Sequence, residues 1–192
     1  MSILDAKTTK SLEGGPSFDL RHRLLRAVWN ICWLLLASWT PPPLHPWRRC
    51  LLRLFGAKIS STARIFGSTT VWYPPNLEMG EHAVIGWRTL CYSMDRIILE
   101  DYAIVSQCSF LLAGTHDIDD PNFQLKTKPI HIGRRAWVAA CAIVGPGVTI
   151  GEGAVLGGGG VAFKDLEPWT VYAGNPARKV RLRKRSDTGA GS

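Results

Sequence analysis

The sequence predicts a mainly β protein: a parallel β-helix of hexapeptide repeats, preceded by a helical segment and interrupted by one long loop. Three observations carry this. Apolar residues recur at every sixth position, at Ile132, Val138, Val144, Ile150, Leu156 and Ala162. Small residues follow them (Gly133, Ala139, Gly145, Gly151, Gly157), and small or branched residues recur four places on (Ala136, Ala142, Val148, Ala154, Gly160). An upstream set keeps the step at Met79, Ile85 and Cys91, skips eight to Leu99, and resumes at Val105 and Leu111. Six is not a multiple of the helical repeat, so this is not one amphipathic helix. It suits a triangular coil in which each edge takes about six residues and three edges make a rung. The apolar residue points to the axis, and its glycine-type neighbour is expected to ease a corner that needs φ > 0. Stacked rungs bury a continuous apolar column.

In chain order, residues 1–16 form a polar arm, expected to be flexible. Residues 17–56 form a helical segment. Its first helix is expected over Phe18 to Trp39, with Asp19 near the start as a cap. Leu24, Leu25, Val28, Cys32, Leu35, Leu36 and Trp39 recur along it at three- and four-residue steps. Arg21, Arg23 and Arg26 cluster near its start, and Thr40-Pro41-Pro42-Pro43 stops it. A second apolar-basic stretch runs from Trp47 to Phe55 and ends at Gly56. The pair fits two compatible roles. One is a cap over the open end of the solenoid or between subunits. The other is an interfacial segment through which residues 18–55 contact a membrane peripherally. The apolar run Ala27–Trp39 is too short to span a bilayer. Residues 57–177 hold the β-helix, and residues 178–192 form a basic tail, solvated by default.

The rhythm breaks twice. Around Ser93–Arg96 there are two residues too many, and from Leu111 to Ile132 there are 21 residues where six would do. The second excess is a loop over residues 114–129, and loops thrown out of a rigid solenoid are where function is expected.

Bulk properties exclude other classes. The net charge is +8, but residues 1–55 carry eight Lys/Arg against three acidic residues, residues 178–192 six against one, and the body nine against eleven. A nucleic-acid binder wants its basic face on the folded body, so no nucleic acid is expected as a partner. The cysteines Cys32, Cys50, Cys91, Cys108 and Cys141 are odd in number, widely spaced and without a CxxC. Neither a disulfide framework nor a zinc site is indicated, and reduced, mostly buried thiols are expected. Residues 1–16 lack the apolar core of a secretory signal, so a cytoplasmic protein is expected, at the inner face of the cytoplasmic membrane if the helices bind it.

The stretch Ala113-Gly114-Thr115-His116-Asp117-Ile118-Asp119-Asp120-Pro121 resembles the catalytic loop of the maltose, galactoside and nodulation acetyltransferase superfamily. Val144-Gly145-Pro146-Gly147-Val148-Thr149-Ile150-Gly151 is similar to its late coils. Lys164-Asp165 with Gly174-Asn175-Pro176-Ala177-Arg178 is similar to its closing pattern. The helix, the triple proline and Leu44-His45-Pro46-Trp47-Arg48-Arg49 narrow the resemblance, over residues 17–182, to the colanic acid biosynthesis acetyltransferase branch. This resemblance implies a left-handed coil, which general crossover rules would not. It also implies a homotrimer and an O-acetyltransferase that uses acetyl-CoA, with a sugar or lipid-linked saccharide of exopolysaccharide biosynthesis as acceptor.

Acetyl transfer to a hydroxyl needs a base, and an imidazole suits it because its ordinary pKa lies near neutrality. His116 is the candidate, although a lone histidine is more often structural than catalytic. The resemblance implies direct attack without an acyl-enzyme, a backbone N–H steadying the oxyanion, and no metal. It also implies an acetyl-CoA groove between subunits, beside Trp137, Ala140 and Gly158, with Lys164 and Arg178 meeting the phosphates. Where the family has an acceptor-binding asparagine, this chain has Tyr92 or Ser93; these, with Asp95 and Asp117, are the acceptor candidates. Asp95, Asp117, Asp119 and Asp120 could orient His116 or simply form turns. Two alternatives stand beside this. His82, His116 and His131 could form the zinc site of a γ-class carbonic anhydrase, though that family needs two ligands close together in the loop that here holds only His116. The chain could also be a non-catalytic β-helix assembly module. Taken singly, His82 suits a surface turn and His131 a structural role.

Overall fold

A computed structural model describes residues 3–184; Arg185 and the rest of the expected basic tail lie outside the described residues. Three parallel sheets form the sides of a prism. The first face stacks Lys58–Ile59, Leu77–Met79, Ile97–Leu99, Ile130–Ile132 and Thr149–Ile150. The second stacks Arg64–Ile65, Val84–Ile85, Ile104–Val105, Trp137–Val138, Val155–Leu156 and Thr170–Ala173. The third stacks Thr70–Val71, Leu90–Tyr92, Phe110–Leu112, Ile143–Val144 and Val161–Ala162. Strands of two or three residues suffice because each is held from above and below by its counterparts, Ile65 on Ile85 and Ile85 on Val105. Every residue of the six-step series is buried on the axis, and the column begins with Ile59, Ile65 and Val71, where the six-residue period is expected to take over.

The corners work differently from expectation. The glycine after each apolar residue does not supply positive φ. Gly133 and Gly151 are needed because a Cβ would lie 2.8 Å from the Glu152 nitrogen and 2.6 Å from the Pro168 nitrogen of the next coil. The left-handed positions come two residues later, at Arg135 (φ 57°), Cys141 (φ 59°), Gly147 (φ 79°) and Gly153 (φ 64°). The tight stacking of coils, not the turn itself, selects glycine at the first site. Corner positions also face outward, so Cys141 is exposed and Cys108 half-buried. Against the expectation of mostly buried thiols, only Cys91 of the five free cysteines is buried.

The structure shows a third interruption besides the two read from sequence. Val71 to Met79 is eight residues, and the excess forms a 3-10 turn, Pro74–Asn76. All three excesses leave the third face before the first, so they stack along one edge. The Ser93 hydroxyl bonds both the Tyr73 nitrogen (2.9 Å) and oxygen (3.0 Å), tying the first to the second.

Helix α1 is Ala6–Thr9, α2 is Leu20–Leu36 and α3 is His45–Leu54. Asp19 caps α2 by accepting from the His22 nitrogen at 2.7 Å, as anticipated. The buried face of α2 is not the anticipated stripe. Trp29, Trp33 and, just past the helix end, Ala37 pack on the first coil. Both indoles donate into it, Trp29 to the Val71 carbonyl (2.6 Å) and Trp33 to the Gly67 carbonyl (3.1 Å). Arg48 of α3 is fully buried without a carboxylate. Its guanidinium is satisfied by the carbonyls of Ile65, Thr40, Pro41 and Pro42 and the Thr40 hydroxyl. Thr40, Pro41 and Pro42 lie at the break between the two helices, and one fork gathers their carbonyls with that of Ile65. The helices therefore close the open end of the prism. No helix among the described residues is long and apolar enough to cross a membrane.

Two boundaries change. The arm is held in place: Asp5 caps α1, Ile3 bridges Phe18, and Gln124 of the long loop accepts from the Ala6 nitrogen (2.6 Å) and donates to the Leu4 carbonyl (3.2 Å). Arg178–Leu182 is a strand antiparallel to Thr170–Ala173, closing the far end of the second face, so the described part of the tail is not a free one.

Candidate active site

The excursion at 114–129 is a hairpin. Gly114–His116 pairs antiparallel with Leu125–Thr127, placing His116 opposite Leu125. Gly114 and His116 share one face of their strand, and Leu125 joins it from across. That face turns toward the prism: Leu125 is buried with Phe18 and Met94, and a Cβ on Gly114 would lie 2.4 Å from the Met94 sulfur. His116 stands at its outer end, exposed.

The imidazole is gripped twice. Its ring stacks on Phe123 (centroids 4.6 Å apart, planes at 14°), and Nδ1 lies 2.8 Å from the Phe123 carbonyl oxygen. A carbonyl only accepts, so Nδ1 carries the hydrogen and Nε2 holds the lone pair. Among the described residues Nε2 has no partner. None of the four nearby aspartates does the orienting. Asp117 pairs with Lys126 at 2.6 Å, and that bond holds its carboxyl below the usual range. Asp120 accepts from the Asn122 nitrogen and Asp95 from the Arg96 nitrogen, both at 2.7 Å; these are turn bonds. Phe123 escaped the sequence reading because its contribution is a main-chain oxygen, seven residues away across a turn.

Of the acceptor candidates, Tyr92 and Ser93 point to opposite sides of their strand. Ser93 is buried in the corner and cannot reach a ligand. Tyr92 lines a cavity of about 300 Å³ with Phe18, Arg23, Arg26, Trp72 and Met94, on the Met94 side of the hairpin. Arg26 lies 4.1 Å over the Trp72 ring, with its Nε buried and unbonded and, among the described residues, no carboxylate partner. Burial lowers the Arg26 pKa from its ordinary value. Sequence alone gave no sign of this aromatic and basic cavity, because its walls come from the arm, α2 and two coils. A larger cavity of about 670 Å³, between Leu25, Leu54, Phe55 and Pro75, is lined by none of the catalytic, acceptor or acetyl-CoA candidates.

The five residues assigned to acetyl-CoA fall on two borders of the third face. Ala140 and Gly158 sit at the corner leading into it, with Trp137 on the second face beside them, its indole donating to the Ser106 hydroxyl at 2.9 Å. Lys164 and Arg178 sit beyond it, lining a cavity of about 430 Å³ with Phe163 and Pro176. Phe163 and Lys164 lie on the hairpin's edge of the prism, two coils on. The three histidines of the zinc alternative do not converge. His82 is a left-handed corner residue stacked on Tyr102, and His131 bonds Glu100 at 2.9 Å. Among the described residues no group of three His, Cys, Asp or Glu could hold a metal ion.

No family model matches the chain. It is 38% identical over 179 residues, 93% of its length and 94% of the relative's, to WcaF of Escherichia coli K12, a protein named as a colanic acid biosynthesis acetyltransferase. Its fold superposes on a galactoside acetyltransferase in complex with coenzyme A (TM-score 0.80, 21% identity, 97% of this chain and 94% of that one). A maltose O-acetyltransferase from Clostridium difficile 630 matches with TM-score 0.76 and 24% identity, over 87% of this chain and 90% of that one. The coil is therefore the left-handed β-helix of the hexapeptide-repeat acetyltransferases, and the protein is an acyltransferase of that class. Within it, the chain belongs to the colanic acid biosynthesis acetyltransferase family of WcaF.

Proposed function

We propose that the protein moves an acetyl group from acetyl-CoA to a hydroxyl of a saccharide in exopolysaccharide biosynthesis, with His116 as general base. One observation carries this: the Phe123 carbonyl fixes the proton on Nδ1 and leaves Nε2 bare at the hairpin rim. Nε2 takes the hydroxyl proton as the acceptor oxygen attacks the thioester carbon. The carbon–sulfur bond then breaks, and the departing thiolate recovers the proton from the imidazolium. The names of the relatives support the chemistry, and an exposed imidazole held by Nδ1 with Nε2 open speaks against a purely structural module.

The cavity beside Tyr92 suits the acceptor. Trp72 and Tyr92, both half-buried in its wall, offer aromatic surface for a sugar ring. Arg26, which has no acidic partner among the described residues, fits an acceptor bearing a uronate or phosphate, as a lipid-linked saccharide at the inner face of the cytoplasmic membrane would. Trp137, Ala140, Gly158, Lys164 and Arg178 would come together along acetyl-CoA in a groove between protomers of a homotrimer. Outward Ile104, Phe110 and Trp137 supply apolar surface for that contact.

Transfer of labelled acetyl from acetyl-CoA to a panel of neutral hexoses, uronic acids and diphosphate-linked sugars tests the proposal. His116→Ala should lower the rate roughly a hundredfold to ten-thousandfold with unchanged circular dichroism. Equal rates in the two proteins would end the catalytic assignment. A preference for neutral hexoses would end the role given to Arg26.

A further inference from the structure

Helix α2 has two apolar faces, and the prism uses one. On the other, Leu24 (57% exposed), Val28 (52%), Ile31 (58%) and Leu35 (61%) form a stripe that starts at Leu20 and continues past the helix end to Trp39 (71%). Trp47 of α3 stands exposed nearby. A contiguous exposed apolar face of this kind marks a contact surface.

Two further observations say what it contacts. The first concerns the helix end, where four carbonyls normally rely on water. Here each has a donor. Trp33 O accepts from the Ala37 and Ser38 nitrogens, Leu34 O from the Ser38 hydroxyl (2.9 Å), Leu35 O from the Trp39 indole (2.8 Å) and Leu36 O from the Trp47 indole (2.7 Å). The end of α2 can leave water without orphaned carbonyls, and both indoles are left with only carbon to offer outward. The second is charge. No aspartate or glutamate occurs between Asp19 and Glu78; of the eight lysines and arginines there, Arg48 is buried and Arg26 is held over Trp72, while Arg21, Arg23, Arg53 and Arg64 are exposed. The same face of a second copy laid on this one would oppose cation to cation, whereas an anionic bilayer complements it.

We propose that the outer face of α2, with Trp39 and Trp47, lies in the headgroup layer of an anionic membrane. The stripe enters the acyl boundary and Arg21 meets lipid phosphates. The helix lies on the bilayer and does not cross it. The inference is independent of the acyl-transfer chemistry, because binding is read without turnover.

Flotation of the full chain with phosphatidylcholine vesicles, with or without phosphatidylglycerol, tests it. The protein should float with the mixed vesicles, less so at high salt, and stay down with phosphatidylcholine alone. L24E/I31E/L35E should bind about tenfold more weakly or worse, with its melting temperature and light-scattering mass unchanged. Arg21→Gln should weaken binding less. The proposal is overturned if the parent protein stays down with both vesicles, if the triple variant floats as well as the parent, or if the variant's mass falls, which would make the face a contact between copies.

Discussion

The axis of the coil and the outer face of α2 both carry apolar residues at a regular step, and they meet opposite fates. Ile132, Val138 and Val144 are sealed, whereas Val28, Ile31 and Leu35 stand in the open. A six-residue step closes on itself, because three edges face one another and each coil covers the last. A helical stripe needs a second body. The chain offered α2 one, the open end of the prism, and Trp29 and Trp33 occupy it. Periodicity therefore says which residues share a face; burial depends on what that face meets.

The comparison can be sharpened by experiment. The largest loss of stability is expected in the column: Ile150→Ala should cost about 2–5 kcal/mol in urea denaturation, since no neighbour can collapse into a stacked prism. Arg48→Met comes next, at about 3 kcal/mol, because the carbonyls of Ile65, Thr40, Pro41 and Pro42 lose their shared donor. Mild acid, below about pH 6.5, should act first on the cap. Burial, reinforced by Arg26, lowers the pKa of His22, and burial, reinforced by Arg48, Arg64 and Arg49 against the Ile65 carbonyl, lowers that of His45. A depressed imidazole binds its proton more weakly when folded. Stability should thus be full above about pH 6.5 and fall as the pH drops from there toward about 5. Tryptophan fluorescence melts of H22F/H45Q against the parent should show a flatter profile in the variant. Ile31→Ala should change stability least, by under about 0.5 kcal/mol; a cost like that of Ile150→Ala would mean the stripe is covered after all.

The sequence made the column legible residue by residue, because a period is a statement about side chains. It misled where the determinant was backbone. Gly133 and Gly151 looked like turn residues and proved to be clearances between coils. It also hid the third wide corner, where Pro74–Asn76 takes up the excess before Met79. His116 was legible through the residues around it, but its anchor was not, since the Phe123 oxygen has no signature in residue type. The pairing of Asp117 with Lys126 across a hairpin and the clasp of Gln124 on the arm needed the fold to be known first.

That clasp bears on how the protein is made. Ala6 meets Gln124 across 118 positions of chain. A solenoid can grow outward from its cap, each coil settling on the one before. The hairpin cannot: the arm must wait for a segment translated much later. The coils can be built in order of synthesis, but the hairpin that holds His116 is finished only when an earlier part of the chain comes back to meet it.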